Sequence, residues 1–502
     1  MQGPHAPLLA SASASAADMP AASAPSPSAA PRAYDVAVIG SGPAAGTVVS
    51  GLKGSGKTVA AIDRRAFGGT CALRGCNPKK VLLNAAKAVD FARRADGLLV
   101  NGGAGVGLDW PRLHAFQESF TEPVPPSRLE QFRDAGADCF AGAARFTGPD
   151  TLVVESYPGP ADPDDRDWEE PGVTLRFNQA VIAVGSQPAP LNVPGEEFVI
   201  RSDDFLAAAD LPGRVVIVGG GYIGLEFAHA LLRADREVTI VETGQHLLSP
   251  FDAQLSERLA DRTRALGARF ECRAKLTGIE RAADGSFVAT AEREDGKALR
   301  IPCDMVVHGA GRVPAVADLD CDAAGIDWDE RGIAVDDRLL SRSHPRAFAA
   351  GDCAGLGHPM LTPVAEAHGE AVLRALLTGE PTAPDVEALP SAVFTEPEMA
   401  AVGLTVEQAE DRGVPFRLIE EDLGTKGALR KLCEPCAGYR MLLEPNGGTL
   451  LGVHLLGPGA AELINLFAVA MRHGLTLRDL AAVPLVYPSL AAEFVKDAAE
   501  KA

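Results

Sequence analysis

The chain has 502 residues, a formal net charge of −20 at neutral pH and 46% apolar residues. That length suits about three domains of ordinary size with several cores, and the acidic balance argues against nucleic acid or an anionic membrane surface as partner. Nine cysteines in such a length are no disulfide scaffold and fit a reducing, cytoplasmic setting. The most apolar window, 215–232, is interrupted by glycines and Glu226, so no membrane span is read.

Residues 1–32 are Ala/Ser/Pro-rich and nearly uncharged, which reads as a disordered tail. They lack a basic segment ahead of an apolar run, so they make a poor signal peptide. A processed, Ser-rich transit segment is the other reading, with no arginine before Arg32. Order is expected from Tyr34. The apolar run 35–39 leads into Gly40-Ser41-Gly42-Pro43-Ala44-Ala45, with alanine at the third glycine position. This is strand, glycine turn, helix. A second strand over 58–62 ends at Asp63, 23 residues after Gly40, where a carboxylate takes a ribose hydroxyl pair. An ordinary tight turn would account for the glycines alone; strand, helix and acid together favour a dinucleotide.

Next comes Gly68-Gly69-Thr70-Cys71-Ala72-Leu73-Arg74-Gly75-Cys76-Asn77-Pro78-Lys79-Lys80, ahead of a helix expected over 81–92. A helix N-terminus lowers the pKa of a thiolate. Four intervening residues let one helical turn bring the two sulfurs together. Two small buried hydrophobes are the competing reading.

The glycine unit then recurs. Strand 214–218 enters Gly219-Gly220-Gly221-Tyr222-Ile223-Gly224, and strand 237–241 ends at Glu242, again 23 residues on. Two copies at one spacing imply two dinucleotides. Glu242 disfavours a 2′-phosphate and so favours NADH over NADPH. Between the units, 173–178 reads as a strand, followed by the run 180–186, after an acidic, Pro-rich hairpin excursion at 157–171. After them, strand 305–308 runs into Gly309-Ala310-Gly311, strand 347–350 ends at Gly351-Asp352, and a helix is expected over 361–377. Beyond a Pro-rich break at 381–390, strands at 393–397, 416–419, 439–443 and 450–456 precede helices at 460–473 and 490–501. That is an α+β unit after two α/β units.

From Tyr34 to Glu500 the chain resembles the pyridine nucleotide–disulfide oxidoreductases, the flavoenzyme family of glutathione reductase, dihydrolipoamide dehydrogenase and mercuric reductase. The likeness rests on the Gly-Gly-Thr-Cys-x4-Cys-x-Pro-Lys stretch, the two glycine turns, Gly351-Asp352 and Thr395-Glu396-Pro397. It implies two Rossmann-like domains and a C-terminal α+β dimerisation domain. The division is a tail at 1–32, an FAD domain at 33–196 and 314–386, an NAD(P) domain at 197–313, and an interface domain at 387–502. A homodimer follows from the same likeness.

It also implies residue roles. Gly40, Gly42, Pro43 and Ala45 lie under the FAD pyrophosphate, with Asp63 on its ribose. Gly69, Thr70 and Ala144 join the cofactor set. Asp352 meets the ribitol side and the backbone of Thr362 the isoalloxazine. Cys76 is the sulfur against the flavin and Cys71 the interchange thiol. Lys79 stands near flavin N5, paired with Glu226. Tyr222 covers the flavin until nicotinamide displaces it, and Gly219, Gly221, Ile223, Gly224, Glu242 and Gly311 serve the nicotinamide nucleotide. No metal site is read.

The chain departs from the family at its C-terminal His-Pro-Thr-x-x-Glu. Tyr487-Pro488-Ser489-Leu490-Ala491-Ala492 stands there, so the acid–base dyad is missing. Tyrosine is a poor base at neutral pH but donates a hydrogen bond. Two substrate classes fit: a disulfide whose thiol is unusually acidic or thione-forming, such as a heteroaromatic one, and a soft metal ion. The disulfide is preferred, because mercuric reductases carry a C-terminal cysteine pair and the last cysteine here is Cys436. Glutathione is disfavoured, since Ser50 and Glu370 replace arginines that meet its carboxylates. Quinone or oxygen as acceptor, and a slow-turnover redox sensor, remain as alternatives.

Cys433-Glu434-Pro435-Cys436 is an addition to the family pattern, either a dithiol or packing cysteines. Cys139, Cys272, Cys303, Cys321 and Cys353 read as structural thiols, and His308, His358, His368 and His473 as packing or surface histidines.

Overall fold

A computed structural model describes residues 30–156 and 172–502; the expected excursion at 157–171 and most of the N-terminal tail lie outside them. The first strand, Arg32–Ile39, is the centre of a seven-stranded sheet. It pairs in parallel with Val59–Asp63 on one side and Val173–Ile182 on the other, so Val38 sits opposite both Ala61 and Val181. Ala137–Ala141 extends one edge in parallel and Ala347–Ala349 also pairs with Val173–Ile182. Thr151–Glu155 and Ala143–Gly148 add an antiparallel flank. The parallel strands are almost continuously apolar because helices Pro43–Gly51 and Thr362–Thr378 cover them.

The second glycine unit builds a five-stranded parallel sheet in the order Arg269–Glu271, Glu237–Val241, Arg214–Val218, Met305–His308, Val199–Ile200. A three-stranded antiparallel sheet, Ala274–Arg281, Phe287–Arg293 and Ala298–Cys303, packs on it. The C-terminal part is a five-stranded antiparallel sheet with helices Ala460–Arg472 and Leu490–Lys501 against it. This is the α/β plus α+β architecture expected.

Several local expectations are corrected. The tail stops short of residue 32, because Arg32 already pairs with Leu175. The strand expected at 173–178 is longer: Val173–Ile182 runs on through polar Gln179, which pairs with Val36. The strand expected at 393–397 ends at Val393. Beyond it the backbone N–H groups of Phe394 and Glu396 donate to Glu226 Oε1 (2.8 Å) and His229 Nδ1 (3.0 Å) rather than to a strand.

Those two bonds fix the C-terminal part onto helix Tyr222–Arg233. Glu226, His229 and Arg233 recur at helical spacing on one face. Arg233 donates to the Glu396 carbonyl (3.1 Å) and to Asp90 (2.7 Å) on helix Cys76–Ala95. Arg94 on that helix binds Asp90, Glu396 and the carbonyls of Leu432 and Cys433. Asp90, Glu396 and Glu434 are buried within 4.8 Å of one another, and Arg94, Arg233 and Arg262 balance them. All three parts of the chain are thus locked at one charged junction, which fixes the two glycine turns relative to the cysteines.

Candidate functional site

The two cysteines do not share one helix. Cys71 lies in the short helix Gly69–Arg74, and Cys76 opens the 20-residue helix Cys76–Ala95, five residues earlier than the sequence reading placed its start. Gly75 makes the break; a Cβ there would sit 3.0 Å from the Thr70 carbonyl oxygen. The break stacks the two sulfurs against Thr362, the first residue of helix Thr362–Thr378. The Thr362 hydroxyl donates to Cys71 Sγ at 3.1 Å and stands 4.0 Å from Cys76 Sγ.

Both cysteines are free thiols and share hydrogen bonding unequally. The Cys71 thiol donates toward Cys76, which raises Cys71 and pulls Cys76 down to about 6. Burial opposes the drop at Cys76, and the Lys79 ammonium adds to it. The thiolate therefore belongs on Cys76, at a helix N-terminus. Lys79 Nζ lies 2.5 Å from Glu226 Oε2, with both residues buried. Burial alone would depress this ammonium; Glu226 more than offsets it, and the net shift is upward.

Cysteines and lysine stand in a cavity of about 1020 Å³. Gly40, Gly42, Pro43, Asp63, Gly69, Thr70, Ala144, Asp352 and Thr362 line it, as do Tyr222 and Ile223. The walls fit a dinucleotide. A Cβ on Gly69 would lie 2.4 Å from the Gly42 Cα, and one on Gly40 would lie 2.2 Å from the Ala183 carbonyl oxygen, so these glycines let bare backbone approach. Asp63 sits at a strand end, and Asp352 lines the same cavity. Asp63 accepts from the Ser41 hydroxyl (2.6 Å) and the Arg65 N–H (2.9 Å), while burial pushes its pKa upward. Asp352 accepts from Ser186 (2.6 Å), which Arg312 holds at 2.9 Å. Lys79 Nζ is 5.4 Å from the centre of the Tyr222 ring.

Of the second turn only Tyr222 and Ile223 line this cavity, and its glycines do not. Gly219 and Gly224 serve close packing: Cβ atoms there would meet the Gly309 and Gly219 carbonyl oxygens at 2.3 and 2.2 Å. Around Gly221 and Gly311 there is open space. Glu242 accepts from the Gly220 and Gly244 N–H groups, each at 2.6 Å.

Two predicted site residues lie apart from the rest. Ala45 is fully buried in the helix–sheet interface and does not line the cavity. Tyr487 is 79% exposed, next to Val486 at 79%, and is not brought to the cysteines of its own chain. Cys433 and Cys436 belong to the charged junction: Arg94 takes the Cys433 carbonyl, and Cys436 Sγ donates to the Arg258 carbonyl. The sequence reading missed Ser41, Arg74, Ser186 and Arg312, although Ser41 lies inside the first glycine turn and Arg74 between the two cysteines.

Residues 34–369 match the family model of the pyridine nucleotide-disulphide oxidoreductases, and 389–498 match the dimerisation domain of that family. The chain is 31% identical over 481 residues to a dihydrolipoyl dehydrogenase of Haloferax volcanii, covering 93% of this chain and 96% of the relative. It is 30% identical over 474 residues to dihydrolipoyl dehydrogenase 2 of Haloarcula marismortui, with the same coverage of each. The fold superposes on the HOCl-induced flavoprotein disulfide reductase RclA of Escherichia coli with a TM-score of 0.79 at 24% identity, covering 92% of this chain and 99% of that one. The chain belongs to the pyridine nucleotide-disulphide oxidoreductases, flavoproteins whose members bind FAD and NAD(P)H.

Proposed function

We propose that this chain is a cytoplasmic, homodimeric disulfide reductase that uses FAD and prefers NADH, and that its substrate is a small neutral or cationic disulfide. The observation that carries this reading is the cluster of Cys71, Cys76 and Thr362 beside the buried Lys79–Glu226 pair. When bound, FAD supplies electron transfer between the nicotinamide nucleotide and the sulfur pair.

The chain's own residues do the rest. Cys71 gives up its proton to solvent as it attacks one sulfur of the substrate, and the first thiolate leaves. Cys76 then attacks Cys71 Sγ, the second substrate thiolate leaves, and the Cys71–Cys76 disulfide closes. The Thr362 hydroxyl donates to Cys71 Sγ, which stabilises the negative charge that develops there as Cys71 loses its proton. Lys79 holds positive charge beside Cys76, and Glu226 keeps Lys79 charged. Tyr487, with exposed Val486 and Val483, faces a second copy of the chain, where its hydroxyl serves as a hydrogen-bond donor to the leaving sulfur. A phenol cannot replace a histidine as a base near pH 7, so the leaving thiol needs to be acidic or thione-forming. Glu370 on helix Thr362–Thr378 weighs against an anionic disulfide such as that of glutathione.

A second reading, electron delivery to a soft metal ion, is favoured by the same missing histidine, because a metal ion takes up no proton. One solved structure of this fold, at 24% identity, is described as a Cu(II) complex of a cysteine-to-serine mutant of RclA. Oxidation of NADH by the purified holoenzyme against aliphatic and heteroaromatic disulfides, Cu(II), Hg(II) and quinones tests both readings. Cys71→Ser is expected to abolish disulfide turnover and to leave quinone turnover in place. Wild-type rates with the best disulfide in Cys71→Ser would sink the mechanism.

A further inference from the structure

We propose that Arg74, inside the cysteine segment, is an anchor for the diphosphate of FAD; this rests on reading the cavity as the FAD site. Arg74 ends the helix whose first residue, Gly69, packs on Gly42 of the first glycine turn. Its side chain lines the cavity and is 16% exposed. Its Nε is buried and has no hydrogen-bond partner among the described residues. The nearest carboxylate oxygen, Asp203 Oδ2, is 3.7 Å away and is already held by Arg65 at 2.9 Å. The guanidinium is therefore buried and only partly neutralised.

Its electrostatics agree. Burial pulls Arg74 down to about 10, with Arg65 and Arg312 adding repulsion, and Asp203 and Asp63 only partly restore it. A desolvated guanidinium in that state is stabilised by an anion that it can grip with two donors.

Position identifies the anion. Arg74 lines the same cavity as Gly40 and Gly42, and the segment that carries it packs through Gly69 against the turn that takes a dinucleotide's pyrophosphate. A flavin–adenine dinucleotide carries its formal charge in the middle, on the diphosphate, and Arg–phosphate pairs are typically bidentate. The sulfurs are not the target: the acidity of Cys76 draws on Lys79, and Arg74 is not among the main influences on either cysteine. The nicotinamide nucleotide fits less well: Tyr222 and Ile223 of its fingerprint line the cavity, but its phosphate-turn glycines, Gly219 to Gly221, do not.

The test is FAD release from the holoenzyme, read as the rise of flavin fluorescence after dilution, across a KCl series. Loss of one charge-assisted phosphate contact is expected to speed release from Arg74→Gln about tenfold or more at low salt and to flatten its salt dependence. Arg74→Lys keeps the charge without the fork and is expected to fall between. If Arg74→Gln does not fold, Arg74→Lys decides, and release within about twofold of wild type overturns the proposal. So does an Arg74→Gln holoenzyme with unchanged release, or one in which only the pH titration of the Cys76 thiolate moves. A wild-type chain that takes up no FAD overturns the cavity reading itself, whereas a flavoprotein indifferent to Arg74 overturns the anchor alone.

Discussion

The two glycine turns share a sequence plan and differ in what surrounds them. Each follows an apolar parallel strand, opens a helix, and is followed 23 residues later by an acid, Asp63 or Glu242. The first turn is roofed by the cysteine segment, with Gly69 against Gly42, and its acid is held by the Ser41 hydroxyl and the Arg65 N–H. The second has open space at Gly221, and its acid is held by the Gly220 and Gly244 N–H groups and the Thr243 hydroxyl of its own loops. A roofed site suits a nucleotide that stays; an open one suits a nucleotide that comes and goes. On the proposed function, the fingerprint marks a dinucleotide site and the packing around it decides how long the nucleotide stays.

The Lys79–Glu226 pair joins the two units, since Lys79 lies on the roof of the first turn and Glu226 on the helix that leaves the second. Glu226→Gln leaves a buried ammonium without its counter-charge, which costs about 3–5 kcal/mol. Denaturant unfolding of the holoenzyme measures it. The double change Lys79→Met with Glu226→Leu is expected to recover most of that loss, because well-packed apolar groups replace a buried ion pair at little cost. A single change that costs less than about 1 kcal/mol, the range of an exposed pair, would break the claim that this bond couples the units.

The comparison also explains what the sequence made legible. Cys71, Cys76 and Lys79 stood out because their spacing is local and their residue types are chemically rare in combination. Gly42 and Asp63 stood out because a turn and a strand end carry short-range signals. The charged junction was invisible: Arg94 meets Glu396 and Glu434 across more than 300 positions, and no local pattern announces such a pairing. Arg74 was overlooked for a different reason. It lies within the motif, but only the fold reveals that it lines the cavity with an unpartnered Nε. The strand misread at 393–397 failed because the N–H groups of Phe394 and Glu396 are claimed by Glu226 and His229, side chains from another layer.

Adding one methyl group to each turn region sharpens the contrast. Gly69 has φ +72, and its Cβ would overlap Gly42; Gly221 has φ −76 and free space. Gly69→Ala is expected to cost about 1–3 kcal/mol from the backbone conformation alone, more with the overlap, and to leave protein depleted in FAD. Gly221→Ala is expected to keep its flavin and its melting temperature and to change only the KM for the nicotinamide nucleotide. Flavin absorbance per chain and thermal melts separate the two. Equal flavin loss in both variants would erase the distinction between a roofed and an open site.

The smallest effect concerns the open turn. Glu242 keeps its carboxylate beside Gly220, where the adenosine ribose of a nicotinamide nucleotide meets the second fingerprint. A 2′-phosphate there would face a like charge across a partly solvated gap, worth on the order of 1 kcal/mol. Glu242→Arg reverses that sign, so the ratio of kcat/KM for NADH over NADPH is expected to fall about tenfold. The substitution also releases the Gly220 and Gly244 N–H groups, which weakens both nucleotides alike. Glu242→Gln separates the two contributions, since its amide oxygen still accepts a hydrogen bond while the repulsion is gone. If the ratio stays fixed in both variants, Glu242 shapes the loop and does not select the cofactor. Selection then lies with residues beyond the strand end, and the shared 23-residue spacing would mark a common scaffold and not a common way of reading the ribose.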